Sequence, residues 1–376
     1  MASAPSSRRR VVVIGAGIAG AAAAYRLASD CDVVLVDMEP QAGTHATGRS
    51  AAVLSETSGT SVVCALARAS RPFLTRPPDD AFDSTLLSPR GLLWVADDAS
   101  LKILTDLEAL AASIGVDAHR LRVDAATALV PVLRSDWLSG ALHEPGAMSI
   151  DVARLLAGFL AGLRRRGASV RLAAPVIRLQ RAGSGWRVGL PDGQIDADVV
   201  VNAAGAWADQ IAERAGIAPL GLRPLLRTVF TFPLAGVEQW PLVIDVASRF
   251  YFEPEGPGLL ASPADETPSE PCDARPDDLA IAMAVDALAD ATTLAVRGVR
   301  STWGGLRTFA ADRIPVLGED PDHPGFFWLA GQGGAGIKTS PAMADALAAL
   351  VLGEPFPSSL TEQGVGPDAL APARFR

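Results

Sequence analysis

A glycine-rich turn between two apolar runs, within the first forty residues, constrains the fold more than any other feature of this sequence. Residues 11–14 are apolar throughout and are followed by the GAGIAG motif at residues 15–20. The Ala-rich segment 18–29 predicts a helix, and residues 32–37 predict a second buried strand that ends on Asp37. A strand, a glycine turn, a helix and a parallel strand together form one right-handed crossover unit.

Each glycine of the GxGxxG pattern has a separate physical role. Gly15 permits the tight turn, Gly17 lets the backbone approach a pyrophosphate, and Gly20 lets the helix pack closely on the strand. The pyrophosphate then lies at the helix N-terminus, and a carboxylate at Asp37 can accept hydrogen bonds from ribose hydroxyls. The unit predicts a dinucleotide cofactor, but NAD and FAD both use it.

Composition narrows the classes of function. The 376 residues are 49% apolar and 20% charged, which suits about two domains with a sizeable core. The net charge of -9 argues against a nucleic-acid partner. The cysteines and histidines lack metal-ligand spacing, so we expect no metal site and no disulfide framework, and free thiols indicate a cytoplasmic location. No apolar stretch reaches the roughly 20 residues of a membrane span.

Two later glycine motifs favour FAD over NAD. Residues 198–202 form a buried strand that ends in small residues before Trp207, which would be an unusually late return in a continuous NAD domain. Residues 331–338, GQGGAGIK, precede the helix predicted at 341–352. The N-terminus of that helix can stabilise negative charge on a reduced flavin ring.

Seven segments, in order along nearly the whole chain, resemble the D-amino acid oxidase superfamily of FAD proteins. That group includes glycine oxidase, sarcosine oxidase and the D-amino acid dehydrogenases, and the resemblance is strongest to FAD-dependent D-arginine dehydrogenases. The segments are VVVIGAGIAGAAAAYRLA (11–28), THATGRSAA (44–52), LLSPR (86–90), VVNAAGAWAD (200–209), FYFEP (250–254), STWGGLRTFAAD (301–312) and GQGGAGIKTSPAMA (331–344).

The resemblance implies an α/β fold with two domains. A Rossmann-like FAD-binding domain would contain residues 8–80, 151–218 and 300–353, and an inserted domain with a mixed or antiparallel β-sheet would contain residues 81–150 and 219–299. Residues 1–7 and 354–376 are predicted as tails. We also expect a strand at 292–298 and a surface loop at 264–277.

The resemblance further implies that FAD is bound without a covalent link. The residues that it assigns to cofactor binding are Gly15, Gly17, Ile18, Ala19, Gly20, Asp37, Met38, Thr47, Gly48, Arg49, Ser50, Ala51, Ala52, Val176, Ala204, Gly205, Trp207, Leu306, Gly333, Gly334, Gly336, Ile337 and Lys338.

Three residues are candidates for substrate binding and catalysis. By resemblance, Arg307 would pair with a substrate carboxylate, Tyr251 would add a hydroxyl, and Arg227 is a second basic candidate. The physical chemistry of Arg307 agrees, because a guanidinium binds a carboxylate through two parallel hydrogen bonds. A structural arginine in a salt bridge and a core tyrosine remain the alternatives.

The expected substrate pocket is apolar. Val53, Leu92 and Gly334 are its predicted wall, with Leu54 and Leu93 as further candidates. A cationic side chain such as that of D-arginine would need a carboxylate there. Glu56 is the only acid near these segments, so the lining argues against arginine as the substrate.

The prediction is an FAD-dependent oxidative deamination of a D-amino acid with an apolar or small side chain. A hydride would pass from the α-carbon to flavin N5, giving an imino acid and then a keto acid with ammonia. Oxygen, a quinone or another acceptor would reoxidise the flavin. The alternatives are a secondary-amine or N-methyl amino acid oxidase like sarcosine oxidase, and a flavin-binding electron-transfer partner subunit.

Overall fold

The computed structural model describes residues 8–376, and the tail predicted at residues 1–7 lies outside them. The strands of the described chain are β1 (Arg10–Ile14), β2 (Asp32–Val36), β3 (Val53–Leu54), β4 (Leu87–Pro89), β5 (Leu92–Ala96), β6 (His119–Leu121), β7 (Gly140–Glu144), β8 (Met148–Ile150), β9 (Ser169–Arg171), β10 (Arg178–Ala182), β11 (Gly185–Leu190), β12 (Gly193–Ala197), β13 (Val199–Asn202), β14 (Arg223–Pro233), β15 (Leu242–Asp245), β16 (Tyr251–Glu255), β17 (Gly258–Ser262), β18 (Thr267–Pro268), β19 (Ser301–Phe309), β20 (Val316–Glu319) and β21 (Phe326–Ala330). The helices are α1 (Ile18–Leu27), α2 (Ser61–Thr75), α3 (Leu101–Ser113), α4 (Val123–Leu129), α5 (Val152–Arg165), α6 (Ala208–Arg214), α7 (Asp278–Ala291), α8 (Gly336–Leu352) and α9 (Ser358–Thr361).

The first sheet carries the glycine turn. Its six strands follow the order β20-β21-β13-β1-β2-β9, and all neighbours are parallel except the antiparallel edge pair β20 and β21. Residues 11–14 are at most 4% exposed because α1 and α8 cover one face and the β10–β12 sheet covers the other. Burial on both faces explains the continuous apolar runs. The predicted α/β fold with a Rossmann-like unit is confirmed.

The second sheet has nine strands and carries the catalytic candidates. Its order is β18-β14-β17-β16-β15-β5-β7-β6, with β19 pairing with β14 as well. β15 and β5 are parallel, and the other paired strands are antiparallel. One face packs with α7 around Phe230, Phe252 and Ala284. A small sheet, β3-β8-β4, lies among the connections between the two large sheets.

The segment 300–309 belongs to the second sheet, not to the cofactor domain in which it was predicted. β19 pairs with β14 over its whole length, from Ser301 opposite Thr231 to Phe309 opposite Arg223. This backbone ladder holds the segment in the nine-stranded sheet, so the chain returns to the six-stranded sheet only after Phe309.

The strand predicted at 292–298 is wrong. After α7 the chain is irregular, with one isolated bridge between Leu133 and Thr292. Leu294 packs on the core, but most of the residues that follow it are exposed. The β-branched composition predicted a strand, yet no neighbouring strand supplies the backbone partners.

The tail predicted at 354–376 is also wrong, because this segment is packed. Leu360 and Leu370 are fully buried against the cofactor sheet, and the Leu317 amide donates to the carbonyl oxygen of Leu370 at 2.8 Å. Arg376 pairs with the buried Asp320 at 2.8 Å. The apolar residues spaced along the segment outweigh its proline and polar content.

Among the helices between residues 8 and 376, none combines the length and apolarity that crossing a bilayer requires. The same part of the chain contains no group of three or more acidic, histidine or cysteine side chains that could hold a metal ion.

Candidate active site

The glycine turn after β1 has room for a ligand on one side only. Gly15 has a φ of +106°, and a Cβ atom on it would lie 2.4 Å from the carbonyl oxygen of Ala203. A Cβ on Gly20 would lie 1.8 Å from the carbonyl oxygen of Gly15. Gly17 is the N-cap of α1, and a Cβ atom on it would lie 3.3 Å from the Thr47 hydroxyl, its closest contact. The backbone at the start of α1 therefore remains open to a diphosphate.

Asp37 follows β2 at the same edge of the sheet. Its carboxylate accepts a hydrogen bond from the amide of Glu39 at 2.8 Å and one from the amide of Ala16. Burial raises the pKa of Asp37, and the two amide donors oppose that shift. Each carboxylate oxygen keeps a lone pair that a ribose hydroxyl can use.

A cavity that is partly open to solvent extends from this turn. It runs past Asp37 and Trp207 to the loop before α8. The predicted cofactor residues on its wall are Gly15, Gly17, Ile18, Ala19, Asp37, Met38, Thr47, Arg49, Val176, Ala204, Gly205, Trp207, Leu306, Gly333 and Gly336.

The cavity wall also contains two polar atoms that the sequence did not point to. Nδ1 of His45 and Nε2 of Gln332 are buried and have no hydrogen-bond partner within residues 8–376. Buried polar atoms are nearly always hydrogen-bonded. Two unpartnered polar atoms on one cavity wall therefore fit a polar ligand, and FAD offers donors and acceptors along its length.

The other predicted cofactor residues lie off this wall, and their role stays a prediction. They are Gly20, Gly48, Ser50, Ala51, Ala52, Gly334, Ile337 and Lys338.

Lys338 is 5% exposed, and its ammonium group is directed at the loop after β3. Nζ donates to the carbonyl oxygens of Ser55 and Ser58, at 2.9 and 2.7 Å, and to the Ser58 hydroxyl at 3.0 Å. Burial lowers the pKa of Lys338. Its side chain thus fastens the start of α8 to residues 55–58.

The three catalytic candidates lie on one face of the nine-stranded sheet. Phe252 is opposite Ala261, and Ala261 is opposite Phe230, and all three are buried in the core on the other face. Side chains alternate along strands, so Tyr251 and Arg227 lie on the remaining face. Arg307 lies there too, because Gly305, two residues before it, is opposite Arg227.

Arg307 is a buried cation without an anionic partner. Arg307 is only 7% exposed. Its guanidinium donates to the carbonyl oxygens of Arg49 at 3.1 Å and Leu306 at 3.3 Å. Within residues 8–376 no carboxylate oxygen lies within 4.0 Å of its guanidinium. Burial lowers the pKa of Arg307 to about 10, and the nearby Arg227 adds to the shift.

Arg227 and Tyr251 have different surroundings from Arg307. Arg227 donates to the carbonyl oxygen of Asp265 at 2.9 Å and pairs with Glu266 at 3.4 Å, so its charge is already compensated. The hydroxyl of Tyr251 forms no hydrogen bond within the described residues 8–376. Of the two arginines, Arg307 is therefore the one available to an anionic substrate.

The predicted apolar wall divides between two regions. Val53 and Leu92 pack with Tyr251 in one cluster around Leu242. Leu54 and Leu93 are fully buried in separate cores, since alternation turns them to the opposite faces of their strands. They do not belong to the pocket wall. Gly334 is exposed, and a side chain there would meet nothing within 4 Å.

The acids beside this cluster are Glu253 and Glu144, not Glu56; Glu144 is 2% exposed and lies opposite Leu92. Glu56 pairs with Arg68 at 3.2 Å and with Arg71, so it offers no free charge. Glu253 is 6% exposed on the same face as Tyr251, and its nearest cation is Arg90 at 4.0 Å. Burial raises the pKa of Glu253 to about 7. Glu253 could have been predicted from the FYFEP segment, because it is two residues after Tyr251 and so lies on the same face of the strand.

The loop predicted at 264–277 covers part of the cofactor cavity. Cys272 and Ala274 lie on the cavity wall. Arg49 holds the loop there, donating to the carbonyl oxygen of Ala274 at 2.9 Å and pairing with Asp273.

Comparisons with known proteins identify a family model that matches most of the chain. A model of the DAO family, described as FAD dependent oxidoreductase, matches residues 10–350. The uncharacterized oxidoreductase YurR of Bacillus subtilis (strain 168) is 28% identical over 361 residues, which cover 91% of this chain and 95% of that protein. Mitochondrial sarcosine dehydrogenase of Mus musculus is 26% identical over 352 residues, but the match covers only 38% of that protein against 88% of this chain.

Glycine oxidase of Geobacillus kaustophilus (strain HTA426) is similar in sequence and in structure. The two sequences are 25% identical over 351 residues, covering 89% of this chain and 90% of the oxidase. A crystal structure of glycine oxidase from G. kaustophilus superposes with a TM-score of 0.82 at 24% identity, covering 94% of this chain and 98% of the other. At that identity the superposition supports the fold alone.

Proposed function

The chain belongs to the DAO family of FAD-dependent oxidoreductases, and on that premise we propose that it oxidises a small amino acid at the carbon that bears the nitrogen. The observation that carries this proposal is the buried guanidinium of Arg307, which has only backbone carbonyl partners. A buried charge without a counter-ion is strongly disfavoured. A substrate carboxylate supplies the missing anion.

Arg307 and Tyr251 would orient the substrate in this proposal. The redox chemistry would come from FAD when it is bound, as the acceptor of the hydride that the α-carbon loses while the amine becomes an imine. Arg307 binds the carboxylate through two hydrogen bonds and so fixes the orientation of the α-carbon. The free hydroxyl of Tyr251 donates to the same carboxylate. Water then converts the imine to a keto acid and ammonia, and no side chain is needed as a base if the amine binds neutral.

For the substrate side chain we infer a D-amino acid with a small or apolar group. Val53 and Leu92 support this inference, because they form an apolar cluster with Tyr251. A buried CH₂ group gains about 0.8 kcal/mol there, whereas an unpaired cation would lose several. Glu253 and Glu144 lie next to that cluster, and their charges oppose the inference.

Two other functions remain candidates. A secondary-amine or N-methyl substrate is supported by the similarity to sarcosine dehydrogenase, although the chain matches only 38% of that protein. A flavin-binding electron-transfer subunit without its own substrate would have no use for an unpaired buried Arg307. The acceptor that reoxidises the flavin and a cytoplasmic location stay predictions.

Anaerobic bleaching of the flavin tests the proposal against both alternatives. The purified protein is mixed under argon with D-leucine, L-leucine, glycine, sarcosine or D-arginine, and the yellow absorption is followed. We expect D-leucine to bleach the flavin faster than L-leucine and sarcosine do. Faster bleaching by sarcosine would support the secondary-amine function, and no bleaching by any of them would support an electron-transfer subunit.

A further inference from the structure

Glu144 lies on the same face of the nine-stranded sheet as Tyr251. At the end of β7, Glu144 is directly opposite Leu92. Two residues further along β5, Trp94 is opposite Ile244, and Ile244 is opposite Tyr251. Residues directly opposite one another share a face of the sheet, and so do residues two apart on one strand. Glu144 therefore borders the apolar cluster that contains Leu92 and Tyr251.

The buried carboxylate of Glu144 is bound by the loop at residues 55–58. One of its oxygens accepts a hydrogen bond from the Glu56 amide at 2.8 Å. The other oxygen accepts from the hydroxyls of Ser55 at 2.8 Å and Thr57 at 2.5 Å. Within the described residues 8–376, no Lys, Arg or His nitrogen lies within 4.0 Å of this carboxylate. Three donors from one loop thus compensate the buried charge.

The loop at residues 55–58 binds a buried cation as well. Nζ of Lys338 donates to the carbonyl oxygens of Ser55 at 2.9 Å and Ser58 at 2.7 Å. The loop therefore gives amide and hydroxyl donors to Glu144 on the nine-stranded sheet, and carbonyl acceptors to Lys338 in the first turn of α8. Because each buried charge depends on the loop for its partners, one loop conformation has to satisfy both.

Two side chains of the apolar cluster depend on the same loop. Val53 lies in β3, which leads directly into it. Trp94 donates from Nε1 to the Thr57 hydroxyl at 3.0 Å, and that hydroxyl donates to Glu144. A hydroxyl can accept one hydrogen bond while it donates another. The Trp94 ring is therefore connected to Glu144 through a single oxygen atom.

We propose that Glu144 is a positioning residue for the substrate side chain: it fixes residues 55–58 and, through them, the Val53 and Trp94 side chains that pack in one cluster with Tyr251. This role rests on the proposed function, since it concerns the wall of the same pocket. The wall contacts only the side chain of an amino acid. Loss of the loop's attachment should therefore weaken binding of D-leucine and leave binding of glycine almost unchanged.

The test is anaerobic stopped-flow bleaching of the flavin by glycine, D-alanine and D-leucine. Titration with each substrate gives its Kd and the limiting rate at saturation. Thr57→Val has the same shape but lacks the hydroxyl between Trp94 and Glu144, and Glu144→Gln offers one acceptor oxygen instead of two. In both variants we expect the Kd of D-leucine to increase on the order of tenfold and that of glycine to change less than about twofold. The limiting rates should stay close to wild type.

Two control variants separate positioning from a general loss of stability. Thr57→Ser keeps a hydroxyl at this position and should restore the wild-type ratio of the two Kd values. Thr292→Val removes another buried threonine hydroxyl with two hydrogen bonds, outside this cluster, and should leave the ratio unchanged even if stability falls. If Glu144→Gln does not fold, the comparison of Thr57→Val with Thr57→Ser still tests the proposal.

Hydrogen exchange of the holoprotein measures the hold of Glu144 on the loop without any substrate. Glu144→Ala removes the acceptor of the Glu56 amide, so a peptide covering residues 55–58 should exchange on the order of tenfold faster. Unchanged exchange in Glu144→Ala, or equal increases of Kd for glycine and D-leucine in Thr57→Val, would overturn the proposal. If no amino acid bleaches the wild-type flavin, the proposed function fails and the substrate role of Glu144 fails with it, whereas faster exchange would still show that Glu144 holds the loop.

Discussion

Arg307 donates a hydrogen bond from Nη2 to the backbone carbonyl oxygen of Arg49, 3.1 Å away. The side chain of Arg49 in turn donates to the carbonyl oxygens of Ala274 and Gly304 and pairs with Asp273. Arg49 thus joins the buried guanidinium of Arg307, on the nine-stranded sheet, to the loop 264–277 that covers part of the cavity. The hydrogen bond from Arg307 goes to the backbone of Arg49, so replacing Arg307 removes none of the hydrogen bonds of the Arg49 side chain.

Arg307→Ala should lower kcat/KM while the protein keeps its FAD. Removing one partner of a buried charged pair costs roughly 3–5 kcal/mol, so we expect a decrease on the order of 100- to 5000-fold. Steady-state kinetics and the ratio of flavin to protein absorbance measure the two effects. The control is Arg187→Ala, since Arg187 pairs with Asp196 on the surface of another sheet. Near-normal kinetics in Arg307→Ala would place the carboxylate site elsewhere, with Arg227 next.

The protein should release FAD, not FMN, when it is denatured. The glycine turn and Asp37 suit an adenosine diphosphate, and the resemblance implies no covalent link. After acid or heat precipitation, the yellow flavin should remain in the supernatant and co-elute with authentic FAD in chromatography. Flavin that precipitates with the protein would contradict non-covalent binding, and stoichiometric NAD would contradict the cofactor.

D-amino acids with apolar side chains should outperform D-arginine and D-lysine. Val53 and Leu92 cannot accept a hydrogen bond from a guanidinium through their side chains, and an unpaired buried cation is costly. The measurement is kcat/KM for D-leucine and D-arginine with one electron acceptor. A tenfold preference for D-arginine would contradict the apolar wall. Its loss in Glu253→Gln but not in Glu56→Gln would then identify Glu253 as the cation site.

Glu253 should make stability depend on pH. Burial raises its pKa from 4.5 to about 7, so the folded protein keeps this proton over a range where the unfolded chain has lost it. The folded state binds more protons between these values, so the free energy of unfolding falls as pH rises through them. Glu253→Gln lacks this titration and should gain stability relative to wild type between about pH 5 and 8, by roughly 3 kcal/mol at most.

Chemical denaturation of the holoprotein at about pH 5 and pH 8 measures the difference in unfolding free energy between Glu253→Gln and wild type. Glu255→Gln is the matched control, because Glu255 is on the same strand but exposed. A difference between Glu253→Gln and wild type that does not change with pH would show that Glu253 is ionised in both states.

The cofactor unit could be predicted from sequence because its physics is local. Parallel strands buried on both faces give continuous apolar runs, and the glycines of the turn are required by contacts within residues 15–20 and with Ala203. The order of β1, α1 and β2 follows directly. The helix predicted at 341–352 begins earlier, at Gly336, so that Pro341 lies inside it, although proline is best tolerated in the first turn of a helix.

The nine-stranded sheet was harder to predict because pairing between strands that are distant in sequence defines it. β19 contains two adjacent glycines and no alternating pattern, and only its ladder with β14 makes it a strand. Arg307 was identified by resemblance, but its lack of an anionic partner is visible only in three dimensions. His45 was missed because its orientation depends on Glu39 and on Trp207, which is distant in sequence.

The most direct test of the central role of Arg307 compares an amino acid with its carboxamide. D-leucine and D-leucinamide share a side chain and an amine, and differ only in the carboxylate. In anaerobic stopped-flow experiments at low substrate concentration, D-leucine should bleach the wild-type flavin on the order of 100-fold faster than D-leucinamide. In Arg307→Ala the two rates should become similar. Equal rates in the wild-type protein would contradict the assignment of Arg307 as the carboxylate anchor.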